Sequence, residues 1–107
     1  MCLYPERIVK SVSANGHAGD DPVGANIVCA AATVLLRTAY RTIVLKSDAE
    51  AVISAPGKGE LYFRIIKYHD NETDWLRAIT DYLVTGLKDL ESEYPDSVKF
   101  TEDLSEN

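Results

Sequence analysis

Two apolar stripes at helical spacing bracket a pair of strand-like runs, and that order limits the fold of this chain more than any other feature. The first stripe is Ile27, Ala30, Ala31, Val34, Leu35, Thr38 and Ala39, and the second is Trp75, Ile79, Leu83, Leu87, Leu90 and Tyr94. Steps of three or four residues gather such side chains on one helix face. Asn26 is the expected N-cap of the first helix, since its side-chain oxygen can accept a first-turn N–H. Ser47 and Asp48 mark its break. Thr73 or Asp74 caps the second helix, and Pro95 stops it. Between the helices, 49–54 and Leu61–Tyr68 read as a hairpin around the turn Pro56 to Gly59. Ahead of them, Arg7–Ala14 reads as a strand, with Met1–Tyr4 as a short partner turned at Pro5. Ser97–Thr101 is a candidate last strand, and 102–107 is read as an acidic disordered tail. This order predicts one α+β domain over residues 1–101. It is a two-layer sandwich, a largely antiparallel sheet of four or five strands with both helices on one face.

Charge and composition exclude several functions. The chain has 107 residues and a formal net charge of −6, so it lacks the basic footprint of nucleic-acid binding. No apolar run is read as a membrane span. Glu6 and Arg7 stand where an export signal would need apolar residues. Two cysteines, Cys2 and Cys29, in a chain with no export signal point to reduced thiols and a cytoplasmic setting. With no CxxC spacing, neither a structural zinc site nor any other metal or cofactor is expected.

The longest stretch of turn chemistry runs from Asn15 to Ala25 and holds Gly16, His17, Gly19, Asp20, Asp21, Pro22, Val23 and Gly24. It is read as a loop feeding the first helix, which makes Cys29 the third residue of that helix. Helix N-termini carry partial positive charge and unpaired N–H groups, and both stabilise a thiolate. His17, flanked by Gly16 and Gly19, is able to fold back over that end as a base. The same N–H groups are able to stabilise an oxyanion. On the residues alone, Cys29 as a small buried apolar group and His17 as a surface residue stay open beside this reading. His69, Asp70 and Glu72 are read as a solvated connector. Gly16–Gly24 lacks the Lys of a phosphate loop and carries Asp20 and Asp21, which repel phosphate. Trp75 and the helix tyrosines are read as core or interface residues.

The run Gly16-His17-Ala18-Gly19, followed by Asn26-Ile27-Val28-Cys29-Ala30-Ala31-Ala32-Thr33, resembles the bacterial ribosomal-processing cysteine protease family. Gly86-Leu87 and Tyr94-Pro95 are similar to its C-terminal part. The resemblance implies a homodimer in which Cys29 is the nucleophile and His17 the base, with Asp20–Ala25 closing over a peptide. The implied substrate is a large-subunit ribosomal protein precursor carrying an N-terminal extension. Two positions depart from the family: Asn26 where Asp is usual, and Thr33 where Ser is usual. They leave a second expectation, a non-catalytic member that holds a ribosomal-protein or other basic peptide.

Overall fold

The computed structural model describes residues 1–15, 23–55 and 60–106, leaving aside the side chains of 23–26. They form β1 (Cys2–Leu3), β2 (Val9–Asn15), α1 (Val23–Lys46), β3 (Glu50–Ser54), β4 (Glu60–Lys67), α2 (Thr73–Glu93) and β5 (Asp103–Leu104). A 3-10 turn, Asp70–Glu72, leads into α2. The strands form one sheet in the order β3-β4-β2-β1-β5, antiparallel throughout except for the parallel pair β1–β5. Two helices on a five-stranded mixed sheet make the expected α+β two-layer arrangement.

Side-chain alternation decides which sheet face the helices cover. Val12 stands opposite Phe63, Ala14 opposite Leu61, and Ala51 opposite Ile65. These positions point to the helices, and Phe63 and Ile65 are almost completely buried. Each such burial contributes about 1.5–3 kcal/mol. The intervening residues Ser13, Val52 and Arg64 point to the other, solvent-facing side.

The first helix packs on a different face from the stripe named above. Val28, Leu36, Ala39 and Ile43 are buried, whereas Ile27 and Val34 are each 61% exposed. The helix is apolar on nearly every side, so periodicity had two faces to choose from. For the same reason Ile27–Lys46 has the length and hydropathy of a membrane span, contrary to the expectation above. Helix α2 is more strongly amphipathic and buries Leu83 and Leu87 as its spacing predicts, but it also buries Leu76 and Thr80, while Trp75 and Tyr94 of the expected stripe are exposed. At Gly86 an added Cβ would lie 3.1 Å from Leu35 Cδ1, so a glycine lets the helices come this close.

Among the described residues, Thr80 is the buried polar residue of the core. Its hydroxyl donates to Leu76 O at 2.9 Å and accepts the Val9 N–H at 3.0 Å. This bond ties α2 to the start of β2. The β1–β2 turn is closed by Arg7 N–H to Tyr4 O and Tyr4 N–H to Ile8 O, both 2.8 Å. Arg7 takes a left-handed φ of 67° to complete it.

The chain end corrects two expectations. Ser97–Thr101 is not a strand. Asp103–Leu104, within the stretch read as a disordered tail, pairs with Cys2–Leu3 instead. Asp103 N–H donates to Met1 O at 2.9 Å and Ser105 N–H to Leu3 O at 2.7 Å. An edge strand's backbone groups need partners whatever side chains the partner carries, and acidic composition hides that.

Candidate active site

Helix α1 places Cys29 and Thr33 one turn apart on the same flank. Both line a cleft of about 480 Å³ between the first half of α1, the end of β2, the start of β4 and the segment 97–101. Its floor is apolar, with Val12, Ala14, Val28 and Leu36 among the lining residues, and Asn15, Arg37, Glu60 and Lys99 supply polar edges. Cys29 is a half-buried free thiol. A thiol set in an apolar wall with polar groups at the mouth is placed to meet a bound chain without being lost in the core.

The start of α1 changes the expected surroundings of that thiol. The helix begins at Val23, so Val23, Gly24 and Ala25 are its first turn and not part of a loop. Asn26 is inside the helix and is not its N-cap. Cys29 is therefore the seventh helical residue, not the third. Gly24 costs about 1 kcal/mol relative to Ala in a helix, and a helix as long as α1 propagates through one such residue. The unpaired N–H groups of a helix belong to its first four residues, which here are Val23 to Asn26. The helix field fades beyond the first turn, so Cys29 needs another source of positive charge.

Of the other residues expected here, Gly16, His17, Gly19, Asp20, Asp21 and Pro22 lie outside the described residues. The structure adds Asn15, Arg37, Glu60 and Lys99 to the cleft. Arg37 was legible in principle, since it continues the four-residue steps from Cys29 through Thr33. Lys99 and its neighbours reach the cleft only through the tertiary fold, and no local pattern marks them. Cys2 lies on β1 and lines no part of the cleft. His69 is exposed, and a Glu72 carboxylate oxygen accepts the Asp48 N–H at 2.9 Å, which makes that connector a structural brace.

Two tyrosines packed against the core, Tyr4 after β1 and Tyr68 after β4, have raised pKa values. Tyr68 is pushed up to about 12 by burial, then by its hydrogen bond to Glu6 and that carboxylate's charge. The phenol donates to Glu6 Oε2 at 2.9 Å. Tyr4 is raised chiefly by burial, and its hydroxyl donates to Ile65 O at 2.7 Å.

The family model for the cysteine protease Prp matches residues 3–99. No curated protein matches the chain. Among solved structures, SMU.848 from Streptococcus mutans is similar, with a TM-score of 0.78 and 22% identity over 97% of this chain and 90% of that one. The essential ribosomal processing protease Prp from S. aureus, in complex with a substrate peptide, also superposes with a TM-score of 0.78 and 22% identity. That match covers 95% of this chain and 94% of that one. The S. aureus protein with a covalently linked product peptide gives 0.74 over the same shares, again at 22% identity.

Proposed function

This chain belongs to the cysteine protease Prp family, and from that premise we propose that it is an endopeptidase that removes an N-terminal extension from a large-subunit ribosomal protein precursor. The observation that carries this reading is Cys29, half-buried in the wall of the cleft with Thr33 one turn along. The peptide-bound forms of the S. aureus protein support a peptide as the substrate.

In this reading Cys29 is the nucleophile and His17 the base. In sequence His17 follows Asn15, a residue of the cleft wall, by two positions, and two residues of chain span at most about 7 Å. His17 takes the thiol proton, and Sγ attacks the scissile carbonyl carbon. The C–N bond breaks as the imidazolium protonates the leaving amine, which leaves a thioester on Sγ. Water gives a proton to His17 and attacks the thioester carbon. The carboxylic product departs and the proton returns to Sγ.

The reading includes a homodimer and a cytoplasmic site of action. Ile27, Val34 and Leu45 follow the outermost line of α1 and are 61, 61 and 69% exposed, an apolar line suited to cover by a second copy. Light scattering is expected to give twice the chain mass, and a Val34→Glu variant is expected to give the monomer mass. The reading as a protease is tested by incubating the chain with the host's ribosomal protein precursor and measuring intact masses. A shortened product is expected from the natural chain and none from Cys29→Ala or His17→Ala. Cleavage that persists in Cys29→Ala would overturn the assignment.

A further inference from the structure

The Cys29 cleft runs along the edge of a strand. Val12, Ser13, Ala14 and Asn15 all line it. A sheet face shows only alternate residues of a strand, so four in succession mean that the cleft reaches the edge of β2. Its opposite wall is the segment 97–101. There Val98 and Phe100 are half-buried while Lys99 and Thr101 are exposed, an alternation that marks an extended chain leading into β5. Strand β1 lies between β2 and β5, and Met1 lines the cleft. The cleft therefore continues the line of β1 past Met1. Its two walls stand two strand spacings apart, about 9.6 Å, which is the room one inserted strand needs.

Backbone alternation decides which groups face this lane. Thr101 O accepts from the Met1 ammonium at 2.9 Å, and the N–H groups of Asp103 and Ser105 donate to Met1 O and Leu3 O at 2.9 and 2.7 Å. Every second residue of this segment thus turns its backbone groups to β1, and Lys99 is next in that row. In β1 the carbonyls of Met1 and Leu3 point to β5, so the backbone groups of Cys2 point to its partner Ser11 on β2. Ser13 and Asn15 follow Ser11 in steps of two and face the lane, while Val12 and Ala14 face β4. Among the described residues, nothing pairs with Ser13, Asn15 or the Lys99 N–H and C=O on this side. Phe100 N–H points the other way and donates to Glu91 Oε2 at 2.8 Å, which fastens this wall to α2.

We propose that the substrate peptide enters this lane as an added strand, paired on one side with Ser13 and Asn15 of β2 and on the other with Lys99 and Thr101, and so passes Cys29. The inference rests on the protease reading above and deepens it: the peptide is held through its backbone. Cys2 lies opposite Ser11 and Asp103, so the register continued past Met1 sets three peptide residues between 13–15 and 99–101. A strand flanked on both sides has every backbone N–H engaged, alternately to one wall and the other. Its side chains alternate between the apolar floor under α1 and the solvent-facing side of the sheet.

The test uses a decapeptide centred on the bond that the chain cuts in the host's ribosomal protein precursor. It is N-methylated at one backbone amide at a time, the scissile amide left out, and each form is assayed for cleavage. Methylation at each of three successive residues on one side of the cut is expected to lower kcat/KM about tenfold, mainly through KM, and methylation further out much less. A second measurement is amide hydrogen exchange, read by NMR on the Cys29→Ala chain, which holds the peptide uncut. Bound peptide is expected to slow exchange about tenfold or more at Ser13, Asn15, Lys99 and Thr101 and to leave β3 unchanged. Losses at alternate residues only, no losses, or unchanged exchange on either wall would overturn the two-sided insertion and leave the protease reading standing. A decapeptide neither cut nor bound, while the precursor is cut, does the same. A precursor left uncut by the natural chain overturns both.

Discussion

Thr80, Arg7 and Tyr68 each hold a join in this fold through one side chain or one backbone angle. Replacing Thr80 by Val keeps its shape but strands the Val9 N–H, which Thr80 Oγ1 now satisfies at 3.0 Å. A buried unpaired donor costs about 1–3 kcal/mol. Urea unfolding of Thr80→Val is expected to show a loss of that size, with Thr80→Ser losing much less. Arg7 sits at φ 67°, where glycine has no steric cost. Arg7→Gly is expected to leave stability unchanged or raise it by up to about 1 kcal/mol, read as a shift in the urea midpoint. Tyr68 links stability to high pH. Its folded pKa, about 12, lies above its ordinary value of 10.0, so folding favours the protonated phenol. That contribution is fully present below about pH 10 and is lost as pH rises through about 12. The unfolding midpoint is expected to fall across that window, with a shallower fall in Tyr68→Phe.

At the scale of elements, legibility followed how one-sided each pattern is. Helix α2 has a polar face, so Leu83 and Leu87 could be placed in the core from spacing alone. Helix α1 has apolar residues nearly all round. Its existence and its end at Lys46 were legible, but Val28 and Leu36 displaced Ile27 and Val34 from the core. The start of α1 was missed because Gly24 and Asn26 are ordinary boundary residues that a long helix can absorb. That shift matters for the site. Cys29 moves beyond the reach of the helix end, so in the proposed mechanism the stabilisation of a thiolate falls on His17, with Arg37 and Lys99 as further cations in the cleft lining. Thr33 was singled out by the family resemblance, and its four-residue step from Cys29 puts it on the same flank. The 97–101 wall was not, because its role exists only once β5 is docked.

For the whole molecule, that docking makes the cleft depend on both chain ends. The N-terminal ammonium of Met1 donates to Thr101 O at 2.9 Å, Lys10 reaches Ser105 at 3.1 Å, and β5 continues the sheet from β1. Met1 and Ser97 to Thr101 together line the cleft that holds Cys29. Removing residues 102–107 is expected to loosen that wall. Hydrogen exchange is expected to quicken at Leu3 and Phe100 while β4 stays protected. Substrate KM is expected to rise more than kcat falls.

The central claim is that Cys29 is a nucleophile served by His17, and Cys2 provides a reference thiol in the same chain. The most direct measurement is the rate of iodoacetamide labelling at each cysteine, by peptide mass spectrometry from about pH 5 to 9. The account predicts that Cys29 labels many times faster than Cys2 at about pH 6, and that His17→Ala removes the difference. Equal labelling of the two cysteines across the range, or a Cys29 rate unchanged in His17→Ala, would contradict it.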